Sequence, residues 1–209
     1  MKAANLLQLF PAAAPYADTL IAGMAAAAID TPLRRAHFLS QIAVESAAFT
    51  KVRESLNYSI EGLLDTFGRH RISEADAERL GRIPGRPADQ VGIANQVYGG
   101  EWGRKHLGNT EPGDGALFIG YGLKQLTGRG NVARCDKALG LKGQLLKQPS
   151  LLMRPDLAAK SAIWFWTDND LNPIADTDNI EAVTRTVNGG LNGLSDRKVW
   201  LAKCKAAFA

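Results

Sequence analysis

Thirteen of the chain's 21 glycines fall between Gly81 and Gly130. This crowding divides the sequence into a turn-rich middle and two flanks free to form long regular elements. Glycine concentrates where the backbone turns tightly or approaches another group closely. Pro84, Pro87 and Pro112 punctuate the same region, which reads as loops around one helix over 89–98. The flanks carry helical signals. Thr31 followed by Pro32 is a cap with proline at the first helical position, and Leu33, Phe38 and Ile42 recur at helical spacing, so a helix is expected to about Ala47. Ser59 caps a short helix through Leu63, Leu64 and Phe67, and Ser73 with Asp76 resembles a capping box. Further helical patterns occupy 131–139, 157–167, 180–187 and 196–208, whereas the stretch 99–106 reads as a loop. Alternating strand patterns are lacking apart from one possible short hairpin between Phe118 and Leu126. The expected class is mainly α with little β structure.

At about 150 residues per domain, a chain of 209 residues forms one large domain or two small, intimately packed ones. A hydrophobic fraction of 45% with 22% charged residues excludes disordered and collagen-like chains. The net charge of +4 is a mild bias suited to a polyanionic partner. There is no concentrated basic helix of the kind that reads DNA. Cys135 and Cys204 are too few for a disulfide scaffold or a zinc site and read as buried thiols, and His37, His70 and His106 show no metal-ligand spacing. Pro11, Pro15 and Asp18 interrupt the apolar opening, and the alanine-rich run over 20–29 is too short to span a bilayer, so neither a signal peptide nor a membrane helix is expected.

Four clusters carry chemistry. Glu45 lies seven residues after Phe38 and three after Ile42, on the apolar face of its helix. A carboxylate there loses hydration, which disfavours its charged form and suits it to general-acid work. The alternative is one half of a core ion pair with a distant arginine. Glu54 follows in a segment without helical periodicity. An unbroken helix would set the two glutamates roughly 13 Å apart. A bend near 47–49 would shorten that toward the roughly 6.5–9.5 Å that admits a water in an inverting glycosidase. Taken alone, Glu54 reads as a surface carboxylate beside Arg53 or Lys51.

In the stretch from Gly120 to Asn131, glycines allow close backbone approach while Gln125, Thr127 and Asn131 supply neutral hydrogen-bonding groups suited to sugars. A phosphate cradle would need a Gly-Lys-Ser/Thr run that is not there. Taken alone, the stretch is a turn before a helix. Asn188 to Gly193, followed by Asp196 and Arg197, is a loop with two amides or simply a helix break. Trp102, Trp164, Trp166 and Trp200 are candidates for stacking on sugar faces, although the helical spacing of Trp164 favours core packing.

The ordered segments FLSQIAVESAAFTKVRESLNYS (38–59), LGNTEPGDG (107–115), GYGLKQLTGRGN (120–131) and VNGGLNGLSDR (187–197) together resemble glycoside hydrolase family 19. This chitinase-like group includes many phage and prophage endolysins. The resemblance covers most of the chain. It implies a lysozyme-like or chitinase-like helical fold with two lobes around a substrate cleft, in one catalytic domain over 1–209 whose 55–115 region forms a smaller second lobe. By this likeness Glu45 is the general acid, Glu54 the base, and Thr127 the hydroxyl that helps to hold the attacking water. Gln125, Asn131, Asn188, Arg197 and Tyr58 match sugar-binding or site-organising positions. Members usually show His-Glu-Ser where this chain has Val44-Glu45-Ser46, and Gly-Arg-Gly where it has Gly120-Tyr121-Gly122.

The implied function is an endolysin that hydrolyses β-1,4 bonds of peptidoglycan glycan strands as an N-acetylmuramidase, by an inverting acid/base mechanism without metal or cofactor. The alternatives are a chitinase acting on chitin oligosaccharides and a wall-binding module that has lost catalysis. The expected setting is the host cytoplasm before lysis and the cell wall after release. A holin would assist export of a monomer that binds no nucleic acid and does not associate stably with a membrane.

Overall fold

Side-chain caps at residues marked by the sequence set the starts of four of the helices. In the computed structural model, which describes Met1–Phe208, Thr31 Oγ1 accepts from the Arg34 amide and Ser59 Oγ from the Gly62 amide, both at 3.1 Å. Ser73 Oγ accepts from the Asp76 amide and donates to its carboxylate, and Asp89 accepts from the Gly92 amide. Each such cap contributes about 1 kcal/mol. The helices are α1 (Ala3–Leu9), α2 (Ala17–Ala26), α3 (Pro32–Glu45), α4 (Ile60–Phe67), α5 (Glu74–Leu80), α6 (Gln90–Tyr98), α7 (Gly100–Leu107), α8 (Asp114–Leu117), α9 (Arg129–Ala138), α10 (Gln144–Lys147), α11 (Pro155–Asp168), α12 (Leu171–Asp176), α13 (Ile180–Asn188) and α14 (Leu194–Phe208).

Two expectations are corrected. The 99–106 stretch is helical, not a loop. Glu101 in its first turn and Arg104, Lys105 and His106 in its last complement the helix dipole, and Gly108 closes it in the left-handed conformation. Gly103 marks a close approach rather than a turn: a Cβ there would come within 1.9 Å of the Tyr98 carbonyl oxygen. The hairpin between Phe118 and Leu126 shrinks to isolated bridges, Tyr121 with Leu126 and Arg53 with Tyr121. Among the described residues no helix is long and apolar enough to cross a membrane.

The chain forms two units. The first comprises Met1–Val52, Gly122–Gln125 and 150–208. Its core is threaded by α3, in which every residue from Ala36 to Ala43 is buried. This helix is therefore enclosed on all sides, not only along the apolar stripe seen in its sequence. Its polar side chains are enclosed with it, so they need partners within the unit. Phe38 meets Trp166 edge-on with ring centroids 5.4 Å apart, and α3 packs along α14. Trp164 is buried, in line with its helical spacing, as is Cys204.

The second unit comprises Arg53–Tyr121 and Leu126–Pro149. In it α4 packs on α5, α6 on α8, and α9 on α10, around Leu56, Leu63, Phe67, Ile93 and Phe118. Cys135 is buried here. The buried Asp114 pairs with Arg129 at 2.5 Å, which ties the 107–115 segment to the start of α9.

Candidate active site

In the first unit, α3 delivers Glu45 at its last residue. The chain then turns sharply, because Ala47, Ala48 and Phe49 all adopt left-handed conformations, with φ of 47°, 53° and 70°. The sequence pattern carries the helix to about Ala47, and the chain instead bends at 47–49 directly after Glu45 and Ser46. It is held by the buried Ser46, whose Oγ donates to the Ile42 carbonyl and accepts from the Phe49 amide. Phe49 is anchored against Phe10, with centroids 4.9 Å apart.

The surroundings of Glu45 differ from the cation-free apolar pocket read from the sequence. Arg197 Nη2 donates to Glu45 Oε1 at 2.6 Å, and Lys124 Nζ stands 3.6 Å from Oε2. The arginine lies 152 residues away along the chain, so the ion pair with a distant arginine is present. Arg197 is buried, and its Nη1 also donates to Gln41 Oε1 at 2.5 Å. Gln41 in turn donates to Thr184 Oγ1 at 3.4 Å. This gives α3, α13 and α14 a common polar seam that ends at the Glu45 carboxylate.

Lys124 and Gln125 come from the glycine-rich stretch. Gly122 is needed there for its φ of +79°, and a Cβ at that position would press on Ser161 Oγ and the Leu152 carbonyl. Gln125 also adopts a positive φ, and its amide donates to the Gly122 carbonyl at 2.8 Å. Asn188 is exposed at the end of α13 and donates to the Asn192 carbonyl.

In the second unit, Glu54 is fastened at both carboxylate oxygens. Tyr98 donates its hydroxyl to Oε1 at 2.5 Å, and the Gly120 amide donates to Oε2 at 3.0 Å. The Glu54 amide closes the ring by donating to the Gly120 carbonyl at 2.9 Å. Glu54 is thus a fixed, half-buried acceptor and not a surface partner of Arg53 or Lys51. A cavity of about 30 Å³, lined in part by Glu54, Gln90 and Ile119, has room for a water or two.

Burial pushes the Tyr98 hydroxyl far above its ordinary value, and the charge of Glu54 adds to this. Tyr98 therefore stays a donor at any working pH. The Tyr58 hydroxyl is raised by the same two causes in the same order. Tyr58, Phe67 and Tyr98 form a series of edge-on rings, 5.5 and 6.0 Å between successive centroids. Asn109 donates to the Tyr98 carbonyl at 2.8 Å and accepts from the Arg129 amide, so the LGNTEPGDG segment is the support behind Tyr98. Thr127 is half-buried, and its carbonyl accepts from the Asn131 side chain, whose oxygen accepts from Arg134.

Of the residues singled out in the sequence, Glu45 and Arg197 are brought together in the first unit, and Thr127 and Asn131 in the second. Sequence reasoning missed Tyr98, Gln41 and Lys124 as site residues. The last two lie inside quoted segments and Tyr98 ends an expected helix, but none has a local pattern that reveals its partner. Among the described residues no cluster of His, Cys, Asp or Glu is placed to hold a metal ion.

No family model matches the chain. A Haemophilus influenzae glycosyl hydrolase family 19 domain-containing protein is 35% identical over 165 residues, covering 79% of this chain and 75% of that protein. A glutamate-to-glutamine mutant of chitinase C has the same fold, with a TM-score of 0.63 at 19% identity over 100% of this chain and 92% of that one. A bacterial family 19 chitinase matches with a TM-score of 0.63 at 18% identity, over 100% of this chain and 94% of that one. Chitinase C from Streptomyces griseus follows with a TM-score of 0.61 at 21% identity, over 99% of this chain and 76% of that one. On the 35% identity over most of both chains, joined to the helical fold that the solved chitinases share, this chain belongs to glycosyl hydrolase family 19 and is a glycoside hydrolase.

Proposed function

We propose that the enzyme is a phage or prophage endolysin that cleaves β-1,4 glycosidic bonds of bacterial peptidoglycan, between N-acetylmuramic acid and N-acetylglucosamine. The observation that supports the reaction type is the fastening of Glu54 by a permanent hydroxyl donor and a backbone amide. A carboxylate fixed in this way is suited to orient and deprotonate a water. In this reading Glu45 protonates the leaving oxygen, Glu54 and Thr127 direct water to the opposite face of the ring, and the product anomer is inverted. Gln125, Asn131, Asn188, Arg197 and Tyr58 bind the sugar or organise the site. The enzyme waits as a monomer in the host cytoplasm and reaches the wall with the help of a holin.

The wall rather than chitin is favoured by the likeness of the four segments to lysins and by the net charge of +4, which suits an acidic polymer. Chitin is the second reading, because the matched solved structures are chitinases. Digestion of purified sacculi followed by borohydride reduction separates these outcomes. Muraminitol is expected. Glucosaminitol moves the cut to the other glycosidic bond, and inert sacculi with cleaved chitin oligosaccharides establish the chitinase. Anomeric proton spectra recorded during turnover should show the inverted anomer first, and a retained anomer ends the single-displacement mechanism.

A further inference from the structure

Arg71 is half-buried in the second unit without a counter-ion. Its guanidinium carbon lies 4.3 Å from the centre of the Trp102 ring and 4.9 Å from that of Phe67. Nε donates to the Phe67 carbonyl at 3.4 Å, a long hydrogen bond. Neither Nη1 nor Nη2 has a protein acceptor among the described residues. Arg34, Arg129 and Arg197, which are also withdrawn from solvent, each take a carboxylate. Glu74, the acid nearest to Arg71 in sequence, is engaged by Arg69 instead. Burial works against the Arg71 charge, yet an arginine keeps its proton inside proteins. The result is a charged group short of hydrogen-bond acceptors, which is costly. A methionine or leucine would pack on the two rings without that cost.

The guanidinium is also held in place. Gly68, with φ of +69°, opens a turn in which its carbonyl accepts from the Arg71 amide at 3.1 Å and the Ile72 amide at 3.2 Å. The Ile72 side chain is buried beneath it. Trp102 is fixed by His106, whose ring stacks on the indole with centroids 4.7 Å apart and whose Nδ1 donates to the Trp102 carbonyl at 2.9 Å. Trp102 therefore serves Arg71 and His106 rather than standing as a free platform for a sugar face. Neither aromatic ring offers an in-plane lone pair, so the terminal N–H groups of Arg71 remain for a ligand. Their planar fork matches the two oxygens of a carboxylate. Phe67 also meets Tyr98, whose hydroxyl holds Glu54, so the unfilled fork lies one ring away from the support of the base.

We propose that Arg71, seated against Phe67 and Trp102, is a subsite for a carboxylate carried by the wall polymer, on the lactyl group of muramic acid or on the stem peptide. The inference deepens the peptidoglycan reading and rests on it. Chitin is built of neutral N-acetylglucosamine and leaves Arg71 unmatched.

The test is calorimetric titration of the full chain with soluble wall fragments that the proposed cut leaves intact. One pair is a disaccharide-peptide with its stem carboxyls free or amidated. The other is the peptide-free disaccharide with its lactyl carboxyl free or amidated. Hydrogen bonds to a charged group change affinity by about 10- to 100-fold, so wild type should prefer the acid of one pair by about tenfold or more, and that pair identifies the source of the carboxylate. Arg71→Met should abolish the preference, as should Arg71→Gln if the methionine variant does not fold. Arg71→Lys should keep only part of it, because an ammonium cannot reproduce the fork. Equal affinity of wild type for acid and amide in both pairs, or no binding of any fragment, overturns the proposal without recourse to a variant. A preference that survives in folded Arg71→Met or Arg71→Gln also overturns it. Failure of the wall reading has a separate signature, namely sacculi left intact by wild type beside cleaved chitin oligosaccharides.

Discussion

The Tyr98 hydroxyl donates to Oε1 of Glu54 at 2.5 Å, joining the last residue of α6 to a glutamate 44 positions earlier. The remaining oxygen is held by the Gly120 amide. A carboxylate gripped on both sides keeps one orientation and retains a free lone pair on each oxygen for further contacts. Tyr98 is itself held in place by Asn109, which binds its carbonyl.

Removal of that hydroxyl should therefore weaken catalysis more than substrate binding. A hydrogen bond to a charged group contributes about 1.5–3 kcal/mol. Tyr98→Phe is expected to lower kcat about 10- to 100-fold with little change in KM, measured on sacculi or chitin oligosaccharides. Wild-type kcat in a folded Tyr98→Phe protein means that Tyr98 does not orient the base.

The helix starts after Thr31, Ser59 and Ser73 were legible in the sequence because a cap is local chemistry. The break after Glu45 was legible as an interruption, although nothing local showed that three consecutive residues would turn left-handed. α7 was missed because Gly99, Gly100 and Gly103 read as turn formers, while Gly103 is there to admit a carbonyl. The partners of the glutamates were the least visible. Arg197 and Tyr98 reach their carboxylates across 152 and 44 residues, and no periodicity carries information over such spans. The family likeness pointed to Arg197, but it did not point to Tyr98 or Lys124.

Arg197→Met tests the polar seam. Loss of one partner from a buried ion pair costs about 3–5 kcal/mol. Lys124 remains beside Glu45, so the loss is expected at the lower end, about 3 kcal/mol, read from urea unfolding. Gln41 also loses its donor. Arg197→Lys should recover only part of the loss, because one ammonium cannot span Gln41 and Glu45 as the guanidinium fork does. A change within about 0.5 kcal/mol for Arg197→Met contradicts this account.

Protonation of His37 should make folding pH-sensitive. Burial lowers its imidazole below the ordinary value, against the pull of Asp178, and its Nδ1 is buried without a hydrogen-bond partner. A lowered folded value means that the folded state binds the proton less readily than the unfolded chain. The stability contribution is therefore complete above about pH 6.5 and is lost progressively as the pH falls below it. Asp178 adds a separate loss at lower pH. Burial opposes its charge, but Lys205 and His37 together hold its carboxyl below the usual range, so its contribution fades only as the pH falls through the carboxylate region. Urea midpoints measured from pH 8 to 5 should decline in wild type and flatten in His37→Gln, and parallel slopes in the two proteins exclude His37 as the cause.

The left-handed turn after Glu45 stores strain that substitutions can release or increase. Each non-glycine residue in this conformation costs about 1–2 kcal/mol, and such runs persist only where surrounding contacts over-determine them. Here the Ser46 hydroxyl ties the turn to α3, the Ala48 amide returns to the Ala43 carbonyl at 2.7 Å, and Phe49 is buried. Ala47 is exposed with φ of 47°, so replacing it loses no packing. Ala47→Gly should stabilise by about 0.5–1 kcal/mol once the greater freedom of glycine in the unfolded chain is subtracted, raising Tm by about 1–4 °C. Ala47→Val should destabilise by about 1–2 kcal/mol, because a β-branched residue tolerates positive φ poorly. If calorimetry ranks the valine variant at or above the glycine variant, the left-handed geometry at Ala47 is wrong, and with it the account of how the chain leaves Glu45.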